Sequence, residues 1–397
     1  MSFNIALSGI QAINEQLEAV SNNIANAGTY GFKSSRANFA SVYAGDSANG
    51  VEVASLTQNI SQNGGLINTG RSMDAMIQGR GFFTSRDAQG VMQYTRVGIF
   101  SANKEGYLVD TAGRMVQGYG PSAGGAQGVM GDIKIPTGQI PAVATTRIDY
   151  VGNLSHGYTA PAVSPLDPAN DKSYNYVKQS VVYDSVGNQH TLTQYFVKAA
   201  TPANTMNVHY AVDGGAPMTT PVRTLTFNTK GELPAGTTQA ISIPAAGGVE
   251  AMNFTISYDG TTHVAGESTN TTNRSNGYAS GSFVGVELAE DGSVVAKYSN
   301  EQRQVVGTLA IATFPDEGSL APTSDTSWVA NNTSGAPLYS APGVGLAGKL
   351  STGTLEGSNV DITSELVGLM TSQRNYQANS KVITTENQMM QALMQAL

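Results

Sequence analysis

The sequence predicts a multidomain, mainly β protein with a long α-helix at each end. Three observations predict it. Apolar residues recur at heptad spacing over residues 1–27, at Phe3, Ala6, Ile10, Ile13, Leu17, Val20, Ile24 and Ala27, and again over 362–397, at Ile362, Leu366, Leu369, Tyr376, Ile383, Met390, Met394 and Leu397. The long middle is rich in Gly and Thr and is punctuated by Asp or Asn followed by Gly three residues later, the preference of a type I turn. Charged residues make up only 13% of the chain, about half the ~25% usual in globular proteins. A surface of Ser, Thr, Asn and Gln suits close packing against other protein, because few ions need desolvating.

The first helix is expected from near Ser2 to about Ala27, with Asn26 and Gly28 supplying the stop. At ~1.5 Å per residue it is about 40 Å long. Its other face carries Asn14, Glu15, Glu18, Asn22 and Asn23. Residues 29–70 read as an extended connector with short strands. From Ile77 strand signals dominate, with turns at Asp87–Gly90, Asn103–Gly106, Asp110–Gly113, Asp184–Gly187 and Asn228–Gly231. Alternating segments such as Val181–Tyr183 and Thr191–Val197 flank them and read as hairpins. A further hairpin turns at Glu290-Asp291-Gly292. A composition shift near residue 145 divides an inner β-domain, 71–146 with 277–360, from an outer β-domain inserted at 147–276. The last helix begins near Asp361, with Asn359 or Asp361 as the cap and Glu365 in the first turn; its ~37 residues give roughly 55 Å. Residues 1–28 and 361–397 together form a coiled-coil-like helical core domain.

Net charge is −8 without a basic run, which argues against nucleic acid or an anionic membrane as partner. The absence of Cys removes disulfides, thiolate metal sites and Cys nucleophiles. No Lys or Arg precedes Lys33 and no unbroken apolar core follows the start, so no secretory signal peptide is read. No stretch approaches the ~20 apolar residues of a membrane span.

Nothing in the sequence assigns a catalytic, cofactor or metal site. Gly343-Val344-Gly345-Leu346-Ala347-Gly348-Lys349 imitates a phosphate-binding loop, but Leu350 stands where the Mg²⁺-holding hydroxyl belongs and Pro342 precedes it. It reads as a glycine loop. His156, His190, His209 and His263 lack ligand spacing and read as surface or loop residues. Gly277-Tyr278-Ala279-Ser280-Gly281 has the wrong spacing for a nucleophile elbow. Single Asp turns offer too few oxygens for calcium. No repeat of 20–50 residues suggests a solenoid.

The terminal heptads carry the functional signal. The helices either pair within one subunit as a stalk or present their seams to neighbouring copies. Gln373, Ser380 and Asn387 interrupt the C-terminal seam, and polar seam residues lower stability while fixing register. Few e/g charge pairs support a free-standing coiled coil.

The segment Leu7–Phe39 resembles the N-terminal signature of the bacterial flagellar rod and hook family, and Gly353–Leu393 resembles its C-terminal signature. The most specific pieces are Ser21-Asn22-Asn23-Ile24-Ala25-Asn26, followed by Gly31-Phe32-Lys33, and Gln373-Arg374-Asn375-Tyr376-Gln377. The likeness is strong over 1–118 and 276–397 and patchier over 147–275. It implies a non-enzymatic homopolymer, exported through the flagellar type III apparatus without a cleaved signal and located outside the cell. That polymer is a helical tube acting as a universal joint between rod and filament. In it Phe3, Ile10, Ile13, Leu17, Val20, Ile24, Ile362, Leu366, Leu369, Tyr376, Ile383, Met390 and Met394 pack between subunits. The implied partners are the distal rod and the hook-cap, hook-length-control and hook–filament junction proteins. Rod-type members are typically shorter, so the insertion at 147–276 favours the hook side of the family over the distal rod. A secreted β-rich adhesin would not need helical seams at both ends.

Overall fold

Both heptad segments are helices: α1 spans Ser2–Ala25 and α2 spans Ile362–Ala396. In the computed structural model, residues 2–44, 47–121, 128–219, 222–245 and 248–396 are described. The chain divides into two units, one of Met1–Thr137, Val284–Lys297 and Arg303–Leu397, the other of Gly138–Phe283 and Tyr298–Gln302. Helix α1 ends two residues before its expected stop. The left-handed residue that turns the chain is Gly31, at φ +66°, rather than Gly28, and a Cβ there would meet Val97 at 3.1 Å. At the start of α2 the cap is Asp361. Its carboxylate accepts from the Thr363 N–H at 3.0 Å and the Ser364 hydroxyl at 2.8 Å, satisfying first-turn groups that lack helical partners. Asn359 is occupied elsewhere: it accepts from the Ser34 N–H and donates to the carbonyls of Asn59 and Gln62.

The first unit departs from the expected connector. Strands β1 (Ser35–Ala44) and β2 (Ser47–Gln58) form a long antiparallel hairpin, which packs along α1. The Ser8 hydroxyl accepts from the Val51 N–H at 3.2 Å, tying helix to hairpin. Beyond the hairpin the outgoing and returning legs of the chain pair directly. Leu66–Asn68 lies antiparallel to Thr354–Glu356, and Ala75–Gln78 lies antiparallel to Lys349–Thr352. The second pairing gives the glycine loop its role. Lys349 opens a strand where a phosphate loop requires a helix, and the Gly343 N–H closes on the Gly348 carbonyl at 2.9 Å. A larger sheet follows, with a core of Ile60, Phe82, Tyr94, Phe314, Leu320 and Trp328.

All five expected turn sequences share one hydrogen-bond pattern, shown by Asp110. Its carboxylate accepts from the N–H groups of Ala112 and Arg114, its carbonyl accepts from Gly113 N–H, and its own N–H donates to the Arg114 carbonyl. Asp87, Asn103, Asp184 and Asn228 repeat it. The side-chain oxygen therefore faces backbone donors, which accounts for Asp or Asn at that position without a metal. Each tetrad ends on a glycine with φ between +78° and +93°.

The second unit holds two four-stranded sheets. One consists of Arg147–Asn153, Thr238–Ile243, Met252–Ser257 and Thr269–Ser275; the other consists of Tyr176–Tyr183, Gln189–Lys198, Thr205–Val212 and Arg223–Thr226. Their inner faces bury one core, including Tyr150, Leu192, Phe196, Tyr210, Phe254 and Tyr258, as a β-sandwich requires. A buried polar chain crosses it: Tyr210 and Tyr258 share a hydroxyl contact, the Tyr258 hydroxyl donates to Gln194, Gln194 donates to Ser180, and Ser180 donates to Asn273. Each member has a partner, which keeps burial of these groups inexpensive.

Of the histidines expected at the surface or in loops, His263 does lie in a loop but is buried there, and His190 and His209 lie in strands and are partly covered. His263 Nδ1 meets the Leu154 carbonyl at 2.8 Å and its Nε2 meets Lys198 Nζ at 2.6 Å. Nδ1 donates and Nε2 accepts, so the ring is held neutral, and burial first of all holds its pKa below the ordinary value. No group of three metal-ligating side chains occurs among the described residues. His190 is different: Nδ1 lies 2.7 Å from Asp213 and Nε2 lies 3.5 Å from Asp184. The Asp213 hydrogen bond raises the His190 pKa above its ordinary 6.5, while burial opposes the rise. For Asp213, burial pulls upward, but the bonds from His190 and the Thr191 N–H hold its pKa below the ordinary carboxylate value.

The sign of the resulting pH dependence follows. A raised histidine pKa gives stability that is complete below 6.5 and disappears as pH rises through the folded value, and a lowered Asp213 pKa gives stability that disappears on acidification. NMR titration should place the His190 midpoint above 6.5. His190→Gln should remove the loss of sandwich stability near that midpoint, a term of about 0.5 kcal/mol for this partly exposed pair. A midpoint at or below the ordinary value contradicts the pairing of His190 with Asp213.

Candidate assembly interface

The point from which both helices leave is built around a buried ion cluster. Lys33 Nζ lies 2.7 Å from Glu356 Oε1 and donates to the Gln62 carbonyl at 2.6 Å. Arg96 Nη1 lies 3.5 Å from Glu356 Oε2, with its guanidinium over the Phe82 ring at 5.2 Å. The Gly64 N–H donates to the same carboxylate, and the Gly31 N–H donates to the Glu356 carbonyl. Burial is the largest influence on both cations and lowers their pKa values, while Glu356 opposes it. Glu356 thereby joins the segment leaving α1, the segment leaving β2, and the strand that leads to α2.

Asn23 completes the junction. Although the sequence places it on the polar outer face of α1, it is 1% exposed. Its amide exchanges two 2.8 Å bonds with the backbone of Ser35 and donates to Glu365 in α2 at 2.8 Å. Three contacts fix how α2 lies on α1. Asn23 meets Glu365, Val20 lies against Gly368, and Gly9 lies so close to Asn379 that a Cβ would stand 2.9 Å from the amide. Each step up α1 is a step down α2, so the helices are antiparallel. Continuing that register brings the start of α1 opposite Glu386. Residues 387–396 of α2 therefore extend past α1, roughly 15 Å at 1.5 Å per residue.

The α2 seam against α1 runs through Glu365, Ser372, Asn379 and Glu386, with Gly368 beside it; all are buried or partly buried. Its centre line is polar or small. Of the expected apolar heptad, Leu366 lies one residue off this line and faces away, Leu369, Tyr376 and Ile383 flank it at i+4 from Glu365, Ser372 and Asn379, and Ile362, Met390 and Met394 lie beyond the overlap with α1. Ile362, Leu366, Tyr376, Met390 and Met394 are exposed, Met390 by 59% and Met394 by 74%, and only Leu369 and Ile383 are partly covered. Gln373, Ser380 and Asn387 belong to the outward stripe and are exposed, so they do not interrupt the intrachain seam. In α1 the pattern is reversed: Ile13 and Val20 are buried, Ile10, Leu17 and Ile24 are partly covered, and Phe3 is exposed by 43%.

The signature residues fall into two groups. Asn23, Gly31 and Lys33 are buried in the junction. Asn26 donates to Asn22 and accepts from Thr29, closing the end of α1, and Phe32 accepts from the Asn359 N–H. Ser21, Asn22, Gln373, Arg374, Asn375 and Tyr376 are exposed. Sequence reasoning missed Glu356 and Arg96, and read Glu365 only as a first-turn acid of α2. Their partners lie far away in the chain, and a lone cation or carboxylate gives no local signal.

Four family models match the chain along its length. Residues 3–33 match "Flagella basal body rod protein" and residues 76–156 match "Flagellar hook protein FlgE/F/G D1 domain". Residues 153–278 match "Flagellar basal body protein FlaE D2 domain" and residues 351–396 match "Flagellar basal body rod FlgEFG protein C-terminal". These describe a class of flagellar axial proteins, built from terminal rod-type segments around β-domains. Among full-length relatives, the flagellar hook protein FlgE of Salmonella typhimurium is 37% identical, with 99% of each chain covered, and that of Escherichia coli is 36% identical with the same coverage. The chain belongs to the flagellar hook protein FlgE family, a family of structural subunits. The crystal structure of Helicobacter pylori flagellar hook protein FlgE2 shares the fold, with TM-score 0.54 at 13% identity over 73% of this chain and 100% of that one.

Removing the junction carboxylate should be costly. Glu356→Gln leaves Lys33 and Arg96 buried beside a neutral amide and should destabilise the first unit by about 3–5 kcal/mol. Asn23→Ala strands the Ser35 backbone groups and should cost about 1–3 kcal/mol. Urea unfolding followed by fluorescence of Trp328, the single tryptophan, reads both. Equal and small effects would show that the cluster does not hold the junction.

Proposed function

We propose that this chain is the structural subunit of a flagellar hook, whose copies polymerise through α1 and α2 into a helical tube outside the cell. The tube passes torque from rod to filament while it bends. One observation carries the reading: most of the apolar heptad of α2 (Ile362, Leu366, Tyr376, Met390 and Met394) stays exposed on its own chain, which centres its seam on polar residues and partly covers only Leu369 and Ile383. A stalk closed within one subunit would bury that heptad. The overhang of 387–396 supports the same conclusion, because Met389, Met390, Leu393 and Met394 all lie exposed beyond the reach of α1.

An apolar stripe that meets different residues on the neighbouring copy is a heterologous contact, and a heterologous contact that does not close yields an open filament. The stripes of Ile362, Leu366, Leu369, Tyr376, Ile383, Met390 and Met394, with Phe3, Ile10, Leu17 and Ile24 of α1, are the surfaces assigned to it. Ile13 and Val20 hold the subunit together instead. The low-charge β surfaces supply contacts weak enough to exchange as the tube curves. At its ends the polymer meets the distal rod, the cap and the junction proteins, and a length-control protein acts on it during growth.

Deletion of 387–397 should leave the Trp328 unfolding midpoint unchanged and abolish tubes under conditions in which the full chain assembles. Tubes of normal appearance from the shortened chain, seen by negative-stain microscopy, would contradict the reading.

A further inference from the structure

A second surface in the first unit has a counterpart on α2. Beside α1 lies a groove lined by Leu56, Leu320, Pro322 and Trp328, with the exposed Glu15 and Glu18 and with Asp325, which also pairs with Arg114. Glu15 and Glu18 are the whole charge of α1, both are exposed, and neither forms an ion pair among the described residues. They lie on a different face of α1 from Gly9, Val20 and Asn23, which meet the chain's own α2.

One face of helix α2 carries the opposite sign. Its only cations are Arg374 and Lys381. They are exposed and without an ion pair among the described residues. Heptad spacing puts Val367, Arg374 and Lys381 on one face. Met370 lies beside them, three residues after Val367 and four before Arg374, and the apolar members of this group are 52–55% exposed. This face is separate from both the polar seam and the outward apolar stripe.

We infer that the groove beside α1 receives the basic face of α2 from a second copy. Arg374 and Lys381 pair with Glu15, Glu18 and Asp325, while Val367 and Met370 lie over the apolar walls. The inference rests on the assembly reading and deepens it by assigning which helix face meets which surface. The occupant must be another copy, because the chain's own α2 is held on a different face of α1. Charges of one sign on each of these two faces also disfavour contact of one acidic rim with another or of one basic face with another, since like charges then face each other. Pairing of this kind sets orientation and partner choice more than affinity.

A charge swap in the full-length protein tests it. Glu15→Lys with Glu18→Lys, and separately Arg374→Glu with Lys381→Glu, should each raise the critical concentration for assembly by roughly tenfold or more, equivalent to about 1.4 kcal/mol. The fourfold variant restores opposite signs and should return it to within about threefold of the unmodified chain. Sedimentation reads the concentration, and an unchanged Trp328 unfolding midpoint confirms that the subunits are folded. If either pair assembles like the unmodified chain, or the fourfold variant is no better than the pairs, the pairing is overturned while the assembly reading stands. An unmodified chain that forms no tubes overturns both.

Discussion

The first unit depends on a single buried carboxylate. Glu356 has no access to water and must be neutralised where it stands, which Lys33, Arg96 and the Gly64 N–H do together. These partners come from segments separated by hundreds of residues, so satisfying one carboxylate forces the departure of α1, the base of the hairpin and the approach to α2 into one place. Without it the two legs of the chain would still be joined by the short pairings of Leu66–Asn68 and Ala75–Gln78, by Asn359 and by the helix contacts, but no buried charge would fix the point where they meet. A buried ion pair of this sort is weak evidence of net stability but strong evidence of fixed geometry, and fixed geometry is what helices destined for a shared core require.

The junction gives the polar seam its purpose. The contacts of Asn23 with Glu365 and of Gly9 with Asn379 hold α2 at one register on α1 while covering, and only partly, no more than Leu369 and Ile383 of its apolar heptad. Burying apolar surface contributes about 25 cal/mol per Å², so a helix that covered its own stripe would have little left to gain from neighbours. The division leaves the strongest cohesive surface to assembly and the weaker, more directional one to the subunit. Low charge elsewhere acts in the same direction, because neighbouring β surfaces can shift without desolvating ions.

The sequence revealed the parts of this arrangement that are local. Heptads disclosed both helices, and Asp-x-x-Gly or Asn-x-x-Gly disclosed five turns whose side-chain caps all form. Heptads could not say which face of α2 meets its own chain, because Glu365, Ser372, Asn379 and Glu386 look like a solvated face until Asn23 and Gly9 are placed opposite them. The hairpin of Ser35–Gln58 was hidden for a related reason: its strands are stabilised by packing on α1 as well as by their own alternation. His263 looked like a loop histidine, and only the distant Lys198 and Leu154 make its burial possible. In each case a partner far away in the chain decided the outcome.

Hydrogen exchange along α2, compared between the monomer and the assembled state, tests the central claim that other copies cover this helix. The account predicts rapid exchange over 387–396 in the monomer, strong protection of the same amides after assembly, and protection of the Lys33–Glu356 junction in both states. Equal protection of α2 in monomer and polymer would show that the helix is already complete within one subunit, and would contradict the account.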